Sequence, residues 1–181
     1  MSIVTKRIAA ISPSLTLAIT AKAKAMKAEG KSVIGFGAGE PDFNTPQHII
    51  DAAKDALDKG YTKYTPSSGL PALRAKIAEK LKAEQGLDYD MSQIVVSSGA
   101  QHSTFNPMFA LVEEGDEVII PAPYWLTYPE VVKVCGGKSV FVEGHKENHF
   151  KISPEDLKKA ITPKTKVLVF NSPSNPTGAV Y

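Results

Sequence analysis

Along this chain the spacing of apolar side chains switches repeatedly between a helical period and short continuous runs. Residues 15–29 are rich in alanine and lysine, begin after Pro13-Ser14 and stop at Gly30, which predicts a capped helix. Residues 33–36 form a short β-prone run leading into the glycine-rich Gly37-Ala38-Gly39-Glu40-Pro41-Asp42. Ile49, Ala52, Ala53, Ala56 and Leu57 fall on one stripe and predict a second helix, with Thr45 as N-cap, Pro46 in the first turn and Gly60 at its end. Leu73, Ile77 and Leu81 repeat that spacing in a third helix over 70–85, closed by Gly86.

The elements then shorten. Residues 94–97 read as a strand that Ser98-Gly99-Ala100-Gln101 turns into a helix, and Pro107 inside that helix is expected to kink it. Strands follow at 118–120, 140–142 and 167–170, alternating with helices at 128–134 and from Ser153-Pro154-Glu155 to Ile161. Helix–strand alternation predicts an α/β fold, and continuous apolar runs predict strands buried on both faces of a mostly parallel sheet. The expectation is three layers, α/β/α, preceded by an N-terminal arm and helix. There is no internal repeat and no low-complexity linker.

Composition narrows the partners. At 181 residues the chain can bury one sizeable core. Its 21 basic and 19 acidic side chains leave a net charge of +2 and are interspersed, as in Lys22, Lys24, Lys27 and Glu29. That pattern gives no basic stripe for nucleic acid or an anionic membrane. Cys135 is the single cysteine, so no internal disulfide is possible and a reducing compartment is expected. The first residues are too polar for a signal sequence and no apolar run reaches membrane-spanning length, so the expected location is cytoplasmic.

Three strand-end segments could carry chemistry. Ser97-Ser98-Gly99-Ala100-Gln101 opens a helix through small residues, presenting free N–H groups at the positive end of its dipole; this is an anion site or an ordinary tight turn. Pro121-Ala122-Pro123-Tyr124-Trp125 follows a strand and holds the only tryptophan, which either stacks on a planar ligand or fills the core. Asn171-Ser172-Pro173-Ser174-Asn175-Pro176-Thr177-Gly178 is stiffened by two prolines, so Asn175 is either presented rigidly or part of a plain turn. In a parallel sheet these segments share the carboxyl edge, where ligands of open α/β sheets bind.

Other patterns fall away. Gly35, Gly37 and Gly39 would need glycine at 40 for a dinucleotide fingerprint, and Glu40 stands there, followed by Pro41. His145 and His149 lie four apart in a polar segment without the H-E-x-x-H order, so no metal site is expected. His102 and Ser103 are adjacent on a helix and point different ways, which argues against a nucleophile pair. Cys135 reads as structural.

Taken in order, Gly37-Ala38-Gly39-Glu40-Pro41-Asp42-Phe43, Tyr61-Thr62-Lys63-Tyr64 with Gly69 and Leu73-Arg74, Ser98-Gly99-Ala100-Gln101, Pro123-Tyr124-Trp125 with Tyr128-Pro129, and 171–178 resemble the class I aminotransferases of pyridoxal-phosphate (PLP) fold type I, and among them the bacterial aspartate aminotransferase branch. The resemblance implies an N-terminal arm and the start of a small domain over 1–45, then the first part of the large PLP-binding domain over 46–181. It implies that Gly99, Ala100 and Gln101 cradle the PLP phosphate and Trp125 stacks on its ring. Asn175 would bond the ring's phenolic oxygen and lie near the substrate carboxylate, which the Gly39 N–H would also meet. Tyr64 would reach the phosphate held by a neighbouring subunit, so a homodimer with its active site at the subunit interface is expected.

The implied reaction is transamination between an L-amino acid, aspartate favoured, and a 2-oxo acid such as 2-oxoglutarate. Alternatives are another fold type I PLP enzyme with a different donor or a lyase activity, a phosphate-ligand-binding α/β module without covalent catalysis, and a non-catalytic interaction protein. In the family the lysine that holds PLP covalently lies downstream, so this stretch is expected to contain no catalytic residue and to be inactive alone. Lys63, Lys138, Lys164 and Lys166 sit in polar surroundings that suit an ordinary ammonium. Ser12 and Gln101 stand where relatives that use acidic substrates or prephenate often carry lysine.

Overall fold

The computed structural model describes residues 3–37 and 39–181 and divides into two compact units, one of residues 15–97 and the other of residues up to Ser14 joined by 98–181. Ala38 of the glycine-rich stretch lies outside the described residues.

The 15–97 unit holds α2 (Leu15–Ala28), α3 (Gln47–Asp58) and α4 (Pro71–Gln85), numbered after the short α1 (Lys6–Ala9) of the other unit. Helix α3 starts one residue later than the sequence suggests: Pro46, not Thr45, is the N-cap, and no side chain caps it. Pro46 is extended (φ −53°, ψ 139°) and its ring carries no acceptor for the first-turn N–H groups. Helix α4 ends on its predicted signal, Gly86 in the left-handed region at φ 69°, and carries Pro71 in its first turn. The Gly86 N–H reaches back to the Lys82 carbonyl at 3.1 Å, closing the end as an αL turn, and the Leu87 N–H adds a bond to the Leu81 carbonyl at 3.2 Å. From α4, the Arg74 guanidinium donates to the carbonyls of Met91 and Ile94, tying the helix to the 3-10 turn Met91–Gln93.

Two predicted strands do not form among the described residues. Residues 33–36 are irregular, with Ile34 and Phe36 82% and 92% exposed. Residues 94–97 are extended but join no ladder; the Val96 N–H donates instead to Ser68 at 2.9 Å. A strand is defined by its neighbour's hydrogen bonds, and β propensity without a neighbour leaves only extended chain.

The other unit contains the sheet. Its elements are α1, α5 (Gly99–Leu111), β1 (Glu117–Ala122), α6 (Thr127–Cys135), β2 (Lys138–Glu143), α7 (Pro154–Ala160) and β3 (Thr165–Leu168). The strands are all parallel in the order β2-β1-β3, with Glu117 opposite Lys138 on one side and Thr165 on the other. Burial on both faces therefore holds for β1 alone. Strands β2 and β3 flank it and keep half or more of their positions partly exposed, as edge strands do.

Alternate residues of β1 enter opposite cores. Val118 and Ile120 pack with Met108, Val112, Val132 and Cys135 under α5 and α6, while Ile119 packs with Val142 and Ile152 on the α7 side. Helices thus cover both faces, giving the three layers. The geometry follows from handedness: a right-handed crossover from β1 to β2 sends α6 over one face, and the return past β1 to β3 sends α7 over the other. Val118, Ile119, Ile120 and Val132 are fully buried, each worth about 1.5–3 kcal/mol of transfer free energy. Pro107 is accommodated within α5.

At the amino edge of the sheet Glu117 links the starts of all three strands. Its carboxylate accepts from the Thr162 hydroxyl at 2.7 Å and from Lys138 Nζ at 3.1 Å, and these bonds hold its pKa below the ordinary glutamate value of 4.5. Its stabilisation is complete above that value and is lost as pH falls through the depressed folded value. Glu117→Gln therefore lowers the urea midpoint at about pH 6, and the gap to wild type narrows as pH falls below the ordinary glutamate value. A gap independent of pH would disprove this role for the carboxylate.

Candidate functional site

The carboxyl edge of the sheet gathers the segments that the sequence singles out. Strand β1 exits through Ala122-Pro123-Tyr124-Trp125, and its parallel neighbour β3 exits through Val169 and Phe170 into 171–178, so both loops leave on the same edge. Helix α5 ends at the opposite edge: a Cβ on Gly137, before β2, would meet Val112 Cγ1 at 2.5 Å and the Asp116 carbonyl at 3.4 Å. From there α5 runs back along β1, with Met108 and Phe105 on the core that Val118 and Ile120 share. Its rise of about 20 Å carries Gly99 toward the carboxyl edge.

Gly99 has φ +82°, a conformation that favours glycine, and no atom within 4 Å of where a Cβ would stand. Ser98 occupies the N-cap, yet its side chain makes no capping bond. Among the described residues no group accepts from the N–H groups of Gly99, Ala100 or Gln101. Three open amides on a helix N-terminus, approached over a glycine, fit a phosphate or carboxylate.

Trp125 is half-buried and belongs to neither core cluster. Its ring meets Tyr128 edge-on, with centroids 5.4 Å apart and planes at 85°, and its carbonyl accepts from the Tyr128 N–H at 3.0 Å. Next to it Tyr124 stacks on Phe141 of β2 at 4.9 Å. Tyr124 and Tyr128, but not Trp125, line a cleft that Phe170, Asn171, Ser174 and Asn175 line from the other loop. Burial pushes the Tyr128 hydroxyl above the ordinary tyrosine pKa, so at neutral pH it is a neutral hydrogen-bonding phenol.

The loop after β3 is built to hold its shape. Asn171 Oδ1 accepts from the Asn175 N–H at 2.8 Å, Ser174 and Ala179 bond at 2.9 Å, and the Ser172-Pro173 and Asn175-Pro176 peptides are cis, as is Ala122-Pro123 in the facing loop. The Asn175 side chain is exposed and spends no hydrogen bond within the described residues, leaving its amide for a ligand. Tyr181 closes the far side: its hydroxyl accepts from the Ile152 N–H at 2.9 Å and its ring lies 4.7 Å from Phe170.

Gly99, Ala100, Gln101, Trp125 and Asn175 thus belong to one unit and one sheet edge. Gly39 and Tyr64 belong to the 15–97 unit; a Cβ on Gly39 would meet nothing within 4 Å, and Tyr64 is fully exposed. Tyr124 and Tyr128 received no role from the sequence, although two tyrosines four apart around the lone tryptophan are a readable signal. Among the described residues no group of His, Cys, Asp and Glu is placed to hold a metal ion. Cys135 is buried in the core, and that burial raises its thiol pKa.

Residues 31–181 match the family model described as aminotransferase class I and II. The chain belongs to that family. It is 62% identical over 176 residues to an aspartate aminotransferase of Bacillus subtilis and 60% identical over 176 residues to that of Geobacillus stearothermophilus, in each case covering 97% of this chain and 45% of the relative. The crystal structure of the Thermus thermophilus aspartate aminotransferase with maleate matches at a TM-score of 0.96 and 46% identity, over 100% of this chain and 47% of that one. This aminotransferase chain therefore spans about 45% of the length of the curated relatives it matches.

Within the aminotransferase chain the N-terminal segment is strapped to the sheet unit. Glu130 of α6 accepts from the Ser12 N–H at 3.0 Å and from Lys133 Nζ at 2.8 Å. The segment containing Ser12 is thereby held against α6, which starts from the carboxyl edge.

Proposed function

We propose that the protein carrying this chain is a PLP-dependent aminotransferase that exchanges an amino group between an L-amino acid, aspartate favoured, and a 2-oxo acid such as 2-oxoglutarate. The observation that carries the reading is the open amide cradle at Gly99, set on the same sheet edge as Trp125 and Asn175. Bound PLP supplies an electron sink for the charge left at the amino acid's Cα.

The chain's own residues bind and orient. The Gly99, Ala100 and Gln101 amides hold the phosphate, Trp125 offers an indole face to the ring, and the free Asn175 amide donates to its phenolic oxygen. Tyr128 braces the indole edge-on. Gly39 contributes a backbone N–H for the substrate carboxylate, and Tyr64 serves the phosphate site of a second subunit in a homodimer. Ser12 and Gln101 place no cation at the site, which weighs against prephenate as acceptor. The lysine that anchors PLP lies beyond Tyr181. No helix among the described residues is long and apolar enough to cross a membrane.

The test is activity with aspartate, 2-oxoglutarate and PLP. A protein of full family length carrying this sequence forms glutamate and oxaloacetate, whereas purified 1–181 shows no turnover. Turnover by 1–181 would remove the need for a downstream lysine. A full-length protein that binds PLP but leaves aspartate unchanged while converting another amino acid would replace the favoured donor.

A further inference from the structure

We infer that His102 is a positioning residue for the phosphate cradle, an inference that rests on the proposed PLP reading of Gly99–Gln101. His102 Nδ1 accepts from the backbone N–H of Ser98 at 3.0 Å, reaching back one turn from inside α5 to the residue that caps it. Accepting through Nδ1 requires a neutral ring whose proton sits on Nε2.

Another helix start in the same chain shows what this arrangement achieves. Before the 3-10 turn at Met91, Gln93 Oε1 accepts from the Asp90 N–H at 2.8 Å while Asp90 Oδ1 accepts from the Ser92 N–H at 2.8 Å. That reciprocal capping box satisfies two N–H groups at the start of the turn, those of Asp90 and Ser92, from within the chain. At Ser98 the back-bond comes from the fourth helical residue instead of the third, and nothing reciprocates it. The inward side chain holds the cap residue's N–H, but the cap residue's own hydroxyl leaves the first-turn amides open.

The choice of side chain matters. A glutamate reaching back from this position would bring a carboxylate to the positive end of the helix and compete with a bound phosphate. A neutral imidazole performs the same tethering without adding negative charge. Holding the Ser98 N–H fixes the Ser97–Ser98 peptide, one residue ahead of Gly99, and so steadies the approach to the left-handed turn at φ +82° from which the three amides open. His102 touches no reacting atom. Its contribution is to the geometry of the cradle, and it concerns the phosphate alone.

Binding of PLP and of pyridoxal, which lacks the phosphate, separates this role from a general structural one. In a protein of full family length, His102→Ala weakens PLP binding about fivefold, the size of one neutral hydrogen bond. Pyridoxal binding is unchanged. His102→Asn, whose Oδ1 replaces Nδ1 as acceptor, restores wild-type PLP affinity. The inference is overturned if His102→Ala binds PLP as wild type does, if PLP and pyridoxal weaken equally, or if asparagine fails to rescue. A wild-type protein with no affinity for PLP overturns the underlying reading instead, and this inference with it.

Discussion

Replacing Gly144 by alanine destabilises the protein by about 3 kcal/mol, at the upper end for overpacking because the obstacles are main-chain atoms. A Cβ there would stand 2.3 Å from the Phe150 carbonyl oxygen, 2.6 Å from its carbon and 2.8 Å from the Ala122 oxygen. None of these can rotate aside. The Gly144 N–H also donates to that Ala122 oxygen at 2.7 Å, so relief by movement costs a hydrogen bond. Phe150 is itself held in the left-handed region, at φ 60°, by a turn whose N–H bonds to His145 at 2.9 Å. Both obstructing residues adjoin the cleft, Phe150 as a lining residue and Ala122 through Pro123, so the strain reaches the site. Urea midpoints provide the measurement, with Gly35→Ala as control because a Cβ at Gly35 meets nothing within 4 Å. Equal midpoints for the two variants would refute the packing described around Gly144.

The second large effect falls on ligand affinity. Gly99→Val weakens PLP binding by roughly 10- to 100-fold, combining the cost of a β-branched residue at positive φ with displacement of the amides. Space is not the issue, since a Cβ at Gly99 meets nothing; the backbone conformation is. Valine there drives the turn away from φ +82°, and the N–H groups of Gly99, Ala100 and Gln101 no longer face one point. The measurement is a PLP titration at family length, paired with pyridoxal. Unchanged PLP affinity in Gly99→Val would place the phosphate somewhere other than this turn.

What could be read from the sequence divides along a physical line. Elements announced by local chemistry were legible: Gly86 ends α4, and Ser153 Oγ accepts from the Asp156 N–H at 3.1 Å to start α7. Elements that depend on a distant partner were not. Residues 33–36 and 94–97 have strand composition but no ladder among the described residues, and nothing local announces that absence. The four-residue α1, capped when Thr5 Oγ1 accepts from the Ile8 N–H at 3.4 Å, is too short to show a period. Its packing on α6 is equally invisible locally, because the two lie far apart in the chain.

The site shows the same division. Gly99, Trp125 and Asn175 could be singled out because each follows a predicted strand, and parallel strands send their exits to one edge. The back-bond from His102 has no local signal, because an imidazole on a helix does not announce whether it turns to solvent or to the main chain one turn earlier. The cleft wall formed by Tyr124, Tyr128 and Tyr181 joins three elements, and only the register of the sheet brings them together.

The bond between Ser12 and Glu130 spans 118 residues and closes a unit whose two pieces are separated by all of 15–97. On the ribosome the first fourteen residues emerge before their binding face exists. At about 5–20 residues per second, roughly 6–24 s pass before Glu130 is made. The amino terminus must therefore wait undocked while the middle of the chain is synthesised, and it closes the unit only after α6 has formed. A nascent chain stalled before residue 130 cannot make the bond between Ser12 and Glu130, and one stalled well past Tyr181 can.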